Sequence, residues 1–160
     1  MSIGVSGIIH LNNGQLENKE RTSFRVSRIA YENRVGCKMG GNVSQEVINN
    51  YKEEIGEQII IFELLDTPLD NTADDLFCYQ TYGGAGESML SQRMSKVEKF
   101  LKEILEDDVI STITIDINYL EGIREEVIRV KVRDFAKKIT SLYIEESIYV
   151  PVIRVKISKS

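Results

Sequence analysis

The apolar patterns along the chain predict an α+β fold. Three helices pack on a mainly antiparallel β-sheet, in the order β-β-β-α-β-β-α-β-β-α-β. Two observations carry this expectation. Ile113, Ile115 and Ile117 alternate with Thr112, Thr114 and Asp116, and Ile128, Val130 and Val132 alternate with Arg129, Lys131 and Arg133. Such alternation belongs to strands with one buried and one wet face. By contrast, Leu90, Met94, Val97, Leu101 and Ile104 repeat at helical spacing.

Taken in order, Ile3–Leu11 holds Val5, Ile8, Ile9 and Leu11 and reads as the first strand. Asn12-Asn13-Gly14 follows as a turn, since Asn and Gly tolerate positive φ. Ser23–Tyr31 fits two patterns. Phe24, Val26, Arg28 and Ala30 alternate as in a strand, whereas Phe24, Arg28 and Tyr31 share a helical face. The β-branched Val26 and Ile29 tip the reading to a strand. Val35–Met39 is a short third strand, ended by Gly40-Gly41-Asn42.

Ser44 suits the N-cap of a helix running to Glu57, with Val47, Ile48, Tyr51 and Ile55 as its apolar face. Ile59–Leu65 reads as a buried strand. Asp66–Asp75 is a loop of roughly ten residues, long for a compact domain. Leu76–Tyr82 is a strand, Gly83–Ser88 a glycine turn, and Met89–Leu105 the longest helix. Glu106-Asp107-Asp108 stops that helix, because acidic residues at a C-terminus oppose the helix dipole. Val109–Tyr119 and Val127–Val132, joined by Leu120–Glu126, form an expected antiparallel hairpin whose polar face permits cross-strand charge pairing. Asp134 caps a last helix bearing Phe135, Ile139, Leu142 and Tyr143. Ile148–Ile157 is the closing strand. Pro151 places it at an edge or confines its pairing to residues beyond the proline. The predicted helices start about 45 residues apart, but only Ser44-Gln45 and Ser91-Gln92 echo one another, so the chain is read without a repeat.

The 160 residues fit one globular domain over 1–160. The chain is 42% hydrophobic and 28% charged, with no apolar run near the ~20 residues of a membrane span. It opens without the basic and apolar regions of a signal peptide, so the expected location is cytoplasmic. The two cysteines, Cys37 and Cys78, then stay as free thiols. Neither they nor the single histidine, His10, has metal-ligand spacing, so no metal or cofactor is expected. A net charge of −5 disfavours nucleic acid as the main partner.

The chain carries no GxSxG and no HExxH, and a catalytic His pairing would have to use His10 alone. Asp66, Asp70, Asp74 and Asp75 share one loop without the EF-hand order of ligands. The expected function is therefore a non-catalytic protein-binding module that occludes or sequesters a protein partner, basic where it meets the acidic loop. Small size, acidity and the missing catalytic motifs suit an immunity-type inhibitor. Its expected contacts are Asp70, Asp74, Asp75, Gln80 and Tyr82, where acidic and tyrosine side chains adjoin a flexible turn. The alternative is a small enzyme or ligand-binding domain. There Gly83, Gly84, Gly86 and Ser88 would hold an anion at a helix N-terminus, with Arg129, Lys131 or Arg133 approaching it. Glu87 and the missing P-loop lysine weigh against a phosphate in that turn.

Overall fold

A computed structural model describes residues 4–65, 85–117, 124–145 and 152–159. The fold is α+β. Strands β1 (Val5–Leu11), β2 (Cys37–Met39), β3 (Ile59–Leu64), β4 (Ile110–Ile117), β5 (Arg124–Lys131) and β6 (Val152–Ser158) form one six-stranded sheet in the order β2-β3-β1-β4-β6-β5. Among the described residues the pairings β1–β3, β1–β4, β2–β3 and β4–β6 are antiparallel, and β5–β6 is parallel. The helices are α1 (Lys19–Glu32), the short α2 (Gln45–Asn50), α3 (Ala85–Leu105) and α4 (Phe135–Glu145).

The strand period divides the sheet into two unlike faces. Val5, Ile9, Ile60, Phe62, Ile113, Ile115, Ile117, Ile153, Val155 and Ile157 point to one side. There they meet Val26, Ile29 and Ala30 of α1, Met94, Val97, Phe100, Leu101 and Ile104 of α3, and Phe135 and Ile139 of α4. This is the main core. At its centre Gly7 leaves room for the Phe62 ring; a Cβ there would lie 2.6 Å from Phe62 Cζ and 2.7 Å from the Thr114 carbonyl oxygen. Phe62 meets Phe100 edge-on, with ring centroids 6.5 Å apart. On the other side Ile8, Val43, Val47 and Tyr51 form a smaller cluster, where α2 and the turn after it cover part of the polar face.

The structure departs from the expected elements in four places. Ser23–Tyr31 belongs to helix α1, not to a strand. Thr22, Val26, Ile29 and Ala30 are its buried residues, a helical stripe, while Phe24 and Arg28 face out. A short apolar run satisfies both periods, and tertiary packing outweighs the weak β-propensity of Val26 and Ile29. Second, β4 and β5 do not pair as a hairpin. Strand β6 lies between them, antiparallel to β4 and parallel to β5, and α4 makes the crossover that parallel strands require. Alternation marks a strand's wet face and does not name its neighbour. For the same reason β6 is not an edge strand; it pairs on both sides over residues that follow Pro151.

Third, α2 stops at Asn50, and the chain continues in turns through Glu54. Ser44 stands at the N-cap, but its backbone N–H and its hydroxyl donate to the Glu63 carboxylate at 2.9 and 3.2 Å rather than capping the helix. Fourth, α3 starts at Ala85, so Gly86, Glu87 and Ser88 lie in its first turn. The expected strand Leu76–Tyr82 and the acidic loop 66–75 lie outside the described residues.

Helix ends are held by side chains from elsewhere. Arg25 of α1 donates to the Ile104 and Glu103 carbonyls at 3.1 and 2.7 Å, closing the C-terminus of α3. Glu98 of α3 accepts the Ala136 N–H at 2.9 Å at the start of α4. Asp134, the expected cap, immediately precedes α4 as the last residue of the 3-10 segment Val132–Asp134. Among the described residues, no helix is long and apolar enough to cross a membrane.

Candidate functional site

Two surfaces stand out: the outer face of α1 and the polar face of the sheet. On α1, Phe24 and Tyr31 are each 69% exposed, whereas Val26, Ile29 and Ala30 are buried. Phe24, Arg28 and Tyr31 follow at i, i+4 and i+7, so the three side chains form one ridge that spans ~10 Å along the helix axis. Beside Phe24 lies a depression of about 550 Å³ in which Leu16, Phe24 and Met39 supply the apolar wall and Glu17, Lys19 and Glu20 line the rest with Ser23 and Ser27. Leu16 is itself exposed. The Ser27 hydroxyl meets Met39 Sδ at 3.2 Å, tying α1 to the short edge strand β2. The two aromatic rings cannot turn inward, because the opposite stripe of α1 already fills the space over the sheet. Arg28 reaches Glu32 only at 4.0 Å, and both side chains are largely exposed. An exposed pair of that kind contributes little. Arg28 is thus available to a carboxylate outside the chain.

The polar face of the sheet is built around Asp116 of β4, which is fully buried. Its carboxylate accepts from Arg154 Nε and Nη2 at 2.9 and 2.8 Å. It also accepts from Asn50 Nδ2 at 2.7 Å and from Arg124 Nη2 at 3.3 Å. Arg154 donates its remaining arm to Glu54 at 2.7 Å. Strands β4 and β6 place Asp116 directly opposite Arg154. The guanidinium sits over the Tyr51 ring, 5.3 Å from its centroid. The Tyr51 hydroxyl donates to the Ser6 carbonyl at 2.9 Å. Burial, and then the Asp116 charge, push the Tyr51 phenol well above its ordinary value. The Asp116 hydrogen bonds hold Arg154 firmly in its charged form. Two carboxylates and two guanidiniums balance here, so the network is neutral, although Arg124 Nε, 3.3 Å from Asp116 Oδ1, makes no hydrogen bond. It pins α2 and the turn after it to the sheet through Asn50 and Glu54.

His10 lies farther along the same face. Its Nε2 meets Thr114 Oγ1 at 3.1 Å. Burial, then the Lys156 and Arg154 charges, lower its pKa, with Glu54 acting the other way. Cys37 on β2 is a free thiol pushed up to about 12 by burial and by Glu63, which makes it a poor nucleophile. Among the described residues, no group of three or more His, Cys, Asp or Glu side chains could hold a metal ion.

The contacts expected from sequence, Asp70, Asp74, Asp75, Gln80 and Tyr82, lie outside the described residues, as do Gly83 and Gly84. Gly86 and Ser88 are backbone positions of α3. Arg129 and Lys131 are on the polar face of the sheet, near His10. Arg133 lies apart from them, in the 3-10 segment before α4, where it borders Ser91 and Ser95 of α3. The α1 ridge had one sequence signal, the helical spacing of Phe24, Arg28 and Tyr31. Compared with known proteins, the chain matches no family model, no curated protein and no solved structure.

Proposed function

We propose that the protein is a non-catalytic binding module that docks a protein partner on the outer face of α1 and acts by occluding that partner's surface. The single observation that carries this reading is the exposure of two aromatic side chains on one ridge, at 69% each, beside an open depression with an apolar wall. Aromatic residues, Met and Arg are the types enriched at protein interfaces, and buried aromatics and Arg dominate their energetics. Phe24, Arg28, Tyr31 and Met39 supply that set on one face. The partner surface it fits offers an apolar side chain to the Leu16–Phe24–Met39 depression and a carboxylate to Arg28. The neutral Asp116 network and the suppressed Cys37 thiol favour binding over catalysis. An inhibitor of the immunity type, acting in a reducing compartment, is the finer form of this reading.

The test is affinity for a partner recovered by the intact protein, measured with Phe24→Asp and Tyr31→Asp beside Asp74→Lys and Asp75→Lys. Loss of at least tenfold in the α1 variants, with melting temperatures unchanged, supports the α1 ridge. Unchanged affinity in the α1 variants together with loss in the aspartate variants returns the contact surface to the loop that contains Asp70, Asp74 and Asp75.

A further inference from the structure

The open half of the sheet's polar face carries a second site. A cavity of about 490 Å³ is lined by His10, Thr112 and Thr114, by Arg129 and Lys131 of β5, and by Lys156 and Ser158 of β6. The strand registers bring these residues together. Arg129 pairs with Lys156 and Lys131 with Ser158 across β5 and β6. Thr114 pairs with Lys156, and Thr112 with His10. Two rows of polar side chains therefore lie side by side, with strands ~4.8 Å apart.

The charge of this half is unbalanced. In the covered half, Arg154 and Arg124 are matched by Asp116 and Glu54. Arg129, Lys131 and Lys156 have no carboxylate partner among the described residues. Like charges directly opposite one another in a sheet destabilise it, so Arg129 beside Lys156 is a cost to the fold. Exposed Arg129 and Lys131 on the edge strand β5 discourage pairing with another chain, but that does not require Lys156 of the interior strand β6 to join them around one cavity.

We infer that this cavity binds a small phosphate ester. A phosphate monoester brings close to two negative charges and three acceptor oxygens. Three cations and the hydroxyls of Thr112 and Ser158 match both. A single carboxylate would leave two of the three cations uncompensated. The volume is that of a small-molecule site rather than of a bare ion, which leaves room for the organic part. His10, held by Thr114, lines the same cavity, and burial and the flanking Lys156 favour its neutral form in the unliganded protein. It places a hydrogen-bonding ring beside the phosphoryl group without a fourth charge.

The test titrates the full-length protein with ribose 5-phosphate and with inorganic phosphate. Citrate serves as the carboxylate control, and binding is read by calorimetry and melting temperature. Lys156→Gln and Arg129→Gln are compared with Lys138→Gln on the exposed face of α4. The expected results are saturable binding of the phosphate ester, tenfold or greater weakening in the first two variants, and no change in the third. Without ligand, Lys156→Gln melts higher than the parent, because it relieves the repulsion. Tighter binding of the ester than of inorganic phosphate assigns the rest of the cavity to the organic part, whereas equal binding reduces the site to an inorganic phosphate site and overturns the ester assignment. Absence of binding, equal binding of citrate, or equal weakening in all three variants overturns the site.

Discussion

Asp116 is the residue on which the polar face depends. Fully buried, it takes four hydrogen bonds from Arg154, Asn50 and Arg124. Removing one member of a buried pair strands the others in a poor solvent, a loss of ~3–5 kcal/mol, whereas a well-packed apolar replacement of the whole set can be neutral. Asp116→Asn is therefore expected to lower unfolding free energy by ~3–5 kcal/mol in a denaturant titration. A loss under ~1 kcal/mol would mean that the network is no more than a surface ion pair. His10 gives a pH signature. Its folded pKa lies below the unfolded value, so the unfolded state binds more protons through that window. The His10 contribution is present above pH ~6.5 and is lost as pH falls through the lowered value. Burial sets it first, then the Lys156 and Arg154 charges, opposed by Glu54. His10→Gln should flatten the melting temperature between pH 7 and pH 5 relative to the parent. Parallel profiles would exclude His10 as the source.

At the scale of elements, the sequence and the structure part where neighbours decide. Strands β1, β3 and β4 were legible because their alternation or apolar runs permit one reading. The segment that became α1 was not. Phe24 is apolar but exposed, so it blurs the helical stripe of Thr22, Val26, Ile29 and Ala30 and, with Val26 and Ala30, lends the segment a false alternation. The exposed Phe24 that blurred the helix is also part of the ridge proposed as a docking surface. The insertion of β6 between β4 and β5 was equally invisible, since no local pattern names a strand's partner. Gly7 shows the reverse case, a plain glycine in a strand whose role is the space it leaves. Its substitution by Ala puts a Cβ within 2.6 Å of Phe62 and 2.7 Å of the Thr114 carbonyl. Overpacking of that kind costs ~1–3 kcal/mol. Chemical denaturation of Gly7→Ala should show it, and an unchanged midpoint would mean that Phe62 and Phe100 repack freely.

For the whole molecule, the fold class was readable and the working surfaces were largely not. The wet face of β4 and β5 was expected from Thr112, Thr114, Asp116, Arg129, Lys131 and Arg133; the first five do share one face, while Arg133 leaves it in the 3-10 segment after β5. The division of that face into a neutral, covered half and a cationic, open half depends on where Arg154, Glu54 and Lys156 fall, and their separation in sequence conceals that. An acidic total likewise masks a local cluster of cations. The molecule then has an aromatic ridge on α1, over the helical layer, and a cationic cavity on the opposite side of the sheet. The central claim is that the α1 ridge is the docking surface. Photo-crosslinking in cells, with the reactive side chain placed at Phe24, Tyr31 or the exposed Lys52, tests it most directly. The account predicts one discrete adduct, shared by positions 24 and 31 and missing at 52. Adducts of equal yield at all three positions, or at Lys52 alone, would contradict it.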